Sequence, residues 1–261
     1  MKRQFWTAFS LTLAVYLLGI AVAVWVIDPP EAPAAEPVRE AVQYSPDPEE
    51  DLILLGVVEG EEPAALLLGF FPAQERIAVL ALTGEEVPAG EVSELRAALE
   101  ERYSLTVDAF LSGEPEAWRE LVRGMGAATL TLSTDSTVSL DGEEVILRAG
   151  RQRLDSRLSM ALIQSGSSHT GELAADWCRV FCRSAEELGA EELFARLSGG
   201  FDTDLSYARI ARHLQGLGWL GSREAPAEAA DASDPAGTAA LFARSTGTDE
   251  ADLSISDKSR R

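Results

Sequence analysis

The chain has 261 residues, 46% hydrophobic and 25% charged, with 43 acidic against 22 basic side chains and a formal net charge of −21. That balance excludes a surface built to track nucleic-acid phosphates or anionic lipid head groups. Two cysteines and two histidines leave no zinc-ligand spacing, and no Ser/His/Asp signature, phosphate loop or dinucleotide fingerprint is present.

From the N-terminus, Lys2 and Arg3 precede an uncharged run, Phe5–Ile27, with Trp6 and Trp25 near its ends. A spanning helix needs roughly 20 apolar residues with aromatic side chains at the interfaces, so the run predicts one transmembrane helix. Asp28, Glu31 and Glu36 follow it. The positive-inside rule then places residues 1–4 in the cytoplasm and the rest outside the cytoplasmic membrane. A cleaved signal peptide is the rival reading. Its apolar region is usually shorter, about 7–15 residues, but Ala32-Pro33-Ala34-Ala35 imitates a cleavage site. Both readings export the remainder. Residues 28–50, rich in Pro, Ala and Glu, read as an extended, disordered spacer.

Residues 51–220 read as one domain. Asp51–Val58, Ala64–Phe71 and Arg76–Leu82 are apolar runs separated by short polar turns, which predicts three strands in a meander. Their nearly continuous apolarity predicts a sheet covered on both faces. A helix follows over Glu91–Arg102 and a strand over Leu105–Phe110. Pro115 opens a helix with Trp118, Leu121, Val122 and Met125 on one stripe. Ala128–Ser133 is strand-like, and Val138–Leu147 reads as a hairpin around Asp141-Gly142. Helices are predicted over Asp155–Gln164, Glu172–Arg183, Glu186–Leu197 and Asp204–Leu217, the last capped by Thr203. Cys178 and Cys182 share a helix face; a disulfide at that spacing is awkward and a metal would need two more ligands, so both read as structural thiols. The fold class is α/β, with α+β left open: a central mixed sheet flanked by helices. Residues 221–261, dominated by Ala, Asp, Ser and Gly and ending in Lys258, Arg260 and Arg261, read as a mostly disordered acidic tail, with a weak helical turn near Thr238–Arg244.

One cluster reverses the sign of the chain. Arg148, Arg151, Arg153 and Arg157 fall within ten residues, with Asp155 among them. Guanidinium forks bind phosphate oxygens two at a time, and helix-start N–H groups add to the field. An aspartate beside them orients an arginine or holds a divalent cation. The alternative is a solvated, partly self-neutralising surface turn.

The order of several segments resembles the LytR–CpsA–Psr family, extracytoplasmic enzymes that attach glycopolymers to bacterial cell walls. The resemblance covers roughly Asp51 to Leu217. An anchor precedes the strand Asp51-Leu-Ile-Leu-Leu. A strand–helix–strand passage then runs from Val107 to Leu132, through Gly126-Ala127 where the family has a Gly-Gly pair. Leu140-Asp-Gly-Glu-Glu-Val-Ile-Leu and Arg151-Gln-Arg-Leu-Asp-Ser-Arg look like the family's L-x-G-x-x-A-L segment and its R-x-R followed by Asp and Arg. Phe201-Asp-Thr-Asp-Leu-Ser is similar to the start of the family's late helix. The resemblance implies that Arg151 and Arg153, with Asp155 and Arg157, bind the pyrophosphate of a polyprenyl-linked glycan, and that Asp51 helps hold magnesium. It also implies that sheet and helices enclose the lipid tail, and that the partners are a lipid-linked glycopolymer or peptidoglycan. The family's Pro-Arg-Asp motif has no counterpart, because Leu80-Ala-Leu-Thr-Gly-Glu85 stands there. Losing an arginine and a carboxylate from a phosphoryl-transfer site costs several kcal/mol of transition-state stabilisation. The expectation is therefore a degenerate member with weak or lost phosphotransferase activity. An active divergent enzyme and a non-catalytic anchored scaffold are the alternatives.

Overall fold

The computed structural model describes residues 44–244, apart from 88, 89 and 141. The expected span Phe5–Ile27 lies outside them. Among the described residues no helix is long and apolar enough to cross a membrane. From Ser45 the chain forms one compact unit.

Three strands open that unit: β1 (Leu52–Val58), β2 (Ala64–Phe71) and β3 (Arg76–Thr83). They pair antiparallel in sequence order, with Leu55 opposite Leu67 and Leu67 opposite Leu80. The expected meander is present. β4 (Ala109–Gly113) adds to β1 in parallel, β9 (Asp202–Thr203) pairs antiparallel with β4, and β10 (Ala227–Ala229) runs parallel to β3. The result is a six-stranded mixed sheet in the order β10-β3-β2-β1-β4-β9.

Side chains alternate across the sheet, and both faces are apolar. Ile53, Leu55 and Leu67 pack with Leu95 and Leu99 of α1 (Val92–Tyr103) and with Phe242. Leu54, Leu66 and Phe70 pack on the other face with Trp118 and Val122 of α2 (Pro115–Met125), Met160 and Leu162 of α3 (Ser156–Gln164), and Trp177 and Cys178 of α4 (Thr170–Gly200). Leu217 and Leu220 of α5 (Tyr207–Ser222) join that layer. Each buried leucine contributes roughly 1.5–3 kcal/mol relative to exposure, so the two layers dominate stability. Trp118 fits closely. Its Nε1 donates to the Val57 carbonyl at 3.0 Å, and a Cβ added at Gly56 would lie 2.7 Å from its ring.

Two small sheets flank α3. β5 (Ala128–Leu132) pairs with β8 (Gly150–Leu154), and β6 (Ser136–Leu140) with β7 (Glu143–Leu147) as the expected hairpin.

Four expectations need correction. The strand placed over Leu105–Phe110 begins only at Ala109, because Asp108 is spent on the crossover, its Oδ2 accepting from Ile53 N–H at 2.8 Å. Glu172–Arg183 and Glu186–Leu197 were expected to part near Ser184–Ala185, but the two helices within α4 meet at a kink at Gly189, whose φ is 74°. Ser206, not Thr203, caps α5; its side chain accepts from Arg209 N–H, while the Thr203 hydroxyl donates to the Phe110 carbonyl. The tail expected to be disordered from residue 221 instead supplies the end of α5, β10 and α6 (Pro235–Leu241) as far as Arg244. Small residues gave that segment little apolar weight. Phe242, 2% exposed, and the carbonyls of Leu241 and Ala243, which accept from Arg76, fix it.

Candidate functional site

Arg151 and Arg153 sit two residues apart on β8, so they share one face of the strand. Arg151 lies opposite Thr131 and Arg153 opposite Thr129. Both line an open groove of about 650 Å³ together with Ala127, Thr129, Asp176, Val180 and Arg183. Asp176 is committed within the fold: its Oδ2 accepts from Thr129 N–H at 2.6 Å and its Oδ1 from Arg179 at 3.0 Å. Those two bonds fix α4 against β5 and neutralise the one carboxylate lining the groove.

The rest of the sequence cluster goes elsewhere. Arg148 reaches Asp135 at 2.8 Å, and with the Ala149 N–H, the larger cause, it holds that carboxyl below its usual range. Asp155 is the N-cap of α3, its Oδ1 accepting from Leu158 N–H at 2.9 Å. Arg157 is exposed in the first turn of α3 and does not line the groove.

Asp51 is far from these arginines in role. It is 1% exposed at the start of β1, close enough for Arg76 to feel its charge. Burial lowers the Arg76 pKa, and Glu228 and Asp51 offset part of that. Magnesium takes oxygen ligands in near-octahedral geometry. Among the described residues no three His, Cys, Asp or Glu side chains gather as a metal ion would require.

Behind the groove lies an apolar interior. Leu66, Phe70, Trp118, Val122, Trp177 and Phe181 line a cavity of about 40 Å³ between the sheet, α2 and α4. That is room for about one water molecule, so a lipid chain enters only if the helices part. The Trp177 Nε1 is buried there without a hydrogen-bond partner among the described residues. Cys178 also lines this wall, and burial pushes its thiol up to about 12; burial likewise raises Cys182. Thiols so protonated are inert packing groups. One helix therefore serves both spaces: Ala174, Trp177 and Phe181 of α4 face the apolar cavity, and Asp176, Val180 and Arg183 face the groove.

Sequence reasoning missed Arg183, which stands 30 positions beyond Arg153 in sequence. Its i+7 spacing from Asp176 was the available signal. It also missed a second groove, about 780 Å³, at the carboxyl ends of the parallel strands β1 and β4. There the buried Ser112 hydroxyl donates to Glu59 Oε1 at 2.6 Å.

No protein-family model matches the chain, and no curated protein does. Solved structures do match. A candidate transcription regulator from Eubacterium siraeum is similar at 10% identity with a TM-score of 0.59, over 87% of this chain and 99% of that one. A transcriptional regulator from Enterococcus faecalis is similar at 10% identity with a TM-score of 0.52, over 82% of this chain and 97% of that one. TagT bound to LI-WTA is more distant, at 14% identity and a TM-score of 0.49, over 72% and 80% of the two chains. At such identities the first two similarities show a shared fold and nothing finer. That fold spans most of this chain and nearly all of both relatives: a central mixed sheet flanked by helices.

Proposed function

We propose that the chain is a membrane-anchored, extracytoplasmic protein of the LytR–CpsA–Psr type that binds the pyrophosphate of a lipid-linked glycopolymer but transfers it weakly or not at all. The observation that carries this reading is the groove itself. Arg151 and Arg153 meet there on one strand face, and the only carboxylate among its lining residues is already held by Arg179 and the Thr129 N–H. Two forks on one face suit a pyrophosphate. Phosphoryl transfer needs more: a cation or further charge to neutralise the leaving group, and a positioned nucleophile. Asp51 is not among the residues that line the groove, Asp155 caps a helix, and the Pro-Arg-Asp motif is absent after β3. The anchor at Phe5–Ile27 supplies proximity to a lipid substrate in this reading.

The test is a paired assay on the full chain in nanodiscs, with a polyprenyl-pyrophosphate oligosaccharide as donor and peptidoglycan as acceptor. Binding is expected without transfer above background. Replacing both Arg151 and Arg153 with alanine should weaken binding at least a hundredfold, since each charge-assisted pair is worth about 1.5–3 kcal/mol. Rapid transfer, or binding indifferent to the double change, refutes the reading.

A further inference from the structure

Among the described residues Arg96, Arg119, Arg123, Arg148, Arg179, Arg196 and Arg244 each hold a carboxylate. In a chain of net charge −21 that is the expected condition. Arg76, Arg102 and Arg209 instead reach backbone carbonyls, and Arg151, Arg153 and Arg183 stand out by gathering in one groove. Among the described residues none of the three side chains makes an ion pair, although all three line the same groove. Two come from a strand and the third from a helix some 30 residues later, so closeness in sequence does not explain the gathering.

The third arginine is also firmly seated. The backbone of α5 passes so close to α4 that a Cβ added at Gly221 would lie 2.8 Å from the Arg183 backbone nitrogen. That contact fixes the root of the side chain, and the Asp176–Thr129 bond fixes α4 against the strand pair that bears the other two arginines. A smaller groove of about 280 Å³ continues past Arg183 and is lined by Arg179, Leu220, Gly221 and Glu224. The Glu224 carboxylate sets a limit there, because an anion extended in that direction meets like charge. The favourable field is therefore confined to the space among three guanidinium groups.

We infer that Arg183 is the third arm of the anion site, and that the three arginines together hold two adjacent phosphate groups, one between Arg151 and Arg153 and the other reached from Arg183. This deepens the function proposed above and rests on it for the identity of the first two arms. The site lies on the opposite side of α4 from the apolar cavity, so it recognises the paired phosphates themselves and not a hydrocarbon tail. A soluble diphosphate and a lipid-borne one present the same chemistry.

The experiment is titration calorimetry on the full chain in zwitterionic nanodiscs, with inorganic pyrophosphate, with orthophosphate, and with polyprenyl pyrophosphate placed in the disc. Pyrophosphate should bind at least tenfold more tightly than orthophosphate. Arg183→Gln should weaken pyrophosphate at least tenfold while leaving orthophosphate nearly unchanged, which erases the preference; Arg183→Lys should restore part of it. Arg123→Gln, at a paired arginine on another helix, should change nothing. A loss of folding alone cannot produce a selective loss of the second phosphate. If Arg183→Gln binds pyrophosphate like the unmodified chain while the Arg151/Arg153 double alanine variant does not, the third arm is overturned and the proposed function stands. If soluble pyrophosphate binds through all three arginines but the polyprenyl form in the disc does not bind, the third arm stands and the lipid-linked ligand falls. If the unmodified chain binds neither form, both fall.

Discussion

Two buried tryptophans on facing helices should respond unequally to the same substitution. Trp118 and Trp177 are 3% and 6% exposed and belong to the same apolar layer. Their indole nitrogens differ. Trp118 Nε1 donates to the Val57 carbonyl at 3.0 Å, whereas Trp177 Nε1 is buried with no hydrogen-bond partner among the described residues. Tryptophan to phenylalanine removes similar volume at both sites. At Trp118 it also removes a made hydrogen bond, worth about 0.5–1.5 kcal/mol, and loosens an edge-on contact with Phe201 at 4.9 Å. At Trp177 it removes an unsatisfied donor, whose burial costs about 1–3 kcal/mol, and that relief offsets the lost packing. Trp118→Phe should therefore destabilise by about 1–3 kcal/mol and Trp177→Phe by close to zero. Trp118→Ala should cost about 3–5 kcal/mol, a large share of a domain stability of about 5–15 kcal/mol. Urea unfolding followed by far-UV circular dichroism measures all three. Equal losses at the two phenylalanine variants, or a larger one at Trp177, refute the assignment of their partners. A loss under about 1 kcal/mol for Trp118→Ala refutes the packing of α2 on the sheet.

Phe242→Ala should destabilise by about 3–5 kcal/mol, because its ring is buried against Phe71; a change under about 1 kcal/mol in the same urea assay would return that segment to the status of a tail. Asp155→Ala should cost about 0.5–2 kcal/mol through loss of the α3 cap and leave pyrophosphate titration unaltered; weakened binding would bring Asp155 into the site. Burial lowers the His213 pKa below 6.5, only partly offset by the Glu50 carbonyl and Asp108. The unfolded chain then binds more protons, so stability should fall as the pH drops below about 6.5, by at most about 1.4 kcal/mol per unit from this group. Urea midpoints at pH 7.5, 6.5 and 5.5 should show the slope, and His213→Gln should flatten it; an unchanged slope in that variant removes His213 as the cause. Cys178 and Cys182 should react with a thiol reagent only at the rate of unfolding, and fast labelling of the native chain contradicts their burial.

Much of the fold was legible because its strands declare themselves. The apolar runs from Leu52 to Thr83 have turn residues between them and apolar side chains on both faces, and they became β1–β3 with little change. The stripe of Trp118 and Val122 behind Pro115 likewise fixed α2 and its inward face. What escaped was set by contacts distant in sequence. β10 is three residues of alanine and glutamate and exists only because β3 offers an open edge. Thr203 looked like a helix cap, but β4 lay near enough to take its hydroxyl, and Ser206 took the cap. In the site, Arg151 and Arg153 could be paired from their closeness in sequence, although the strand β8 that carries them was not anticipated, its edge being set by pairing with β5. Arg183 could not, because only the packing of α4 on β5 brings it to them.

The proposed function is tested most directly by the ligand that the full chain retains on purification. Gently solubilised protein should be examined by native mass spectrometry, beside the Arg151→Ala/Arg153→Ala variant prepared in the same way. The account predicts a polyprenyl-linked phosphate species on the unmodified chain and its loss from the double variant. Equal retention by both proteins, or none on either, would contradict it.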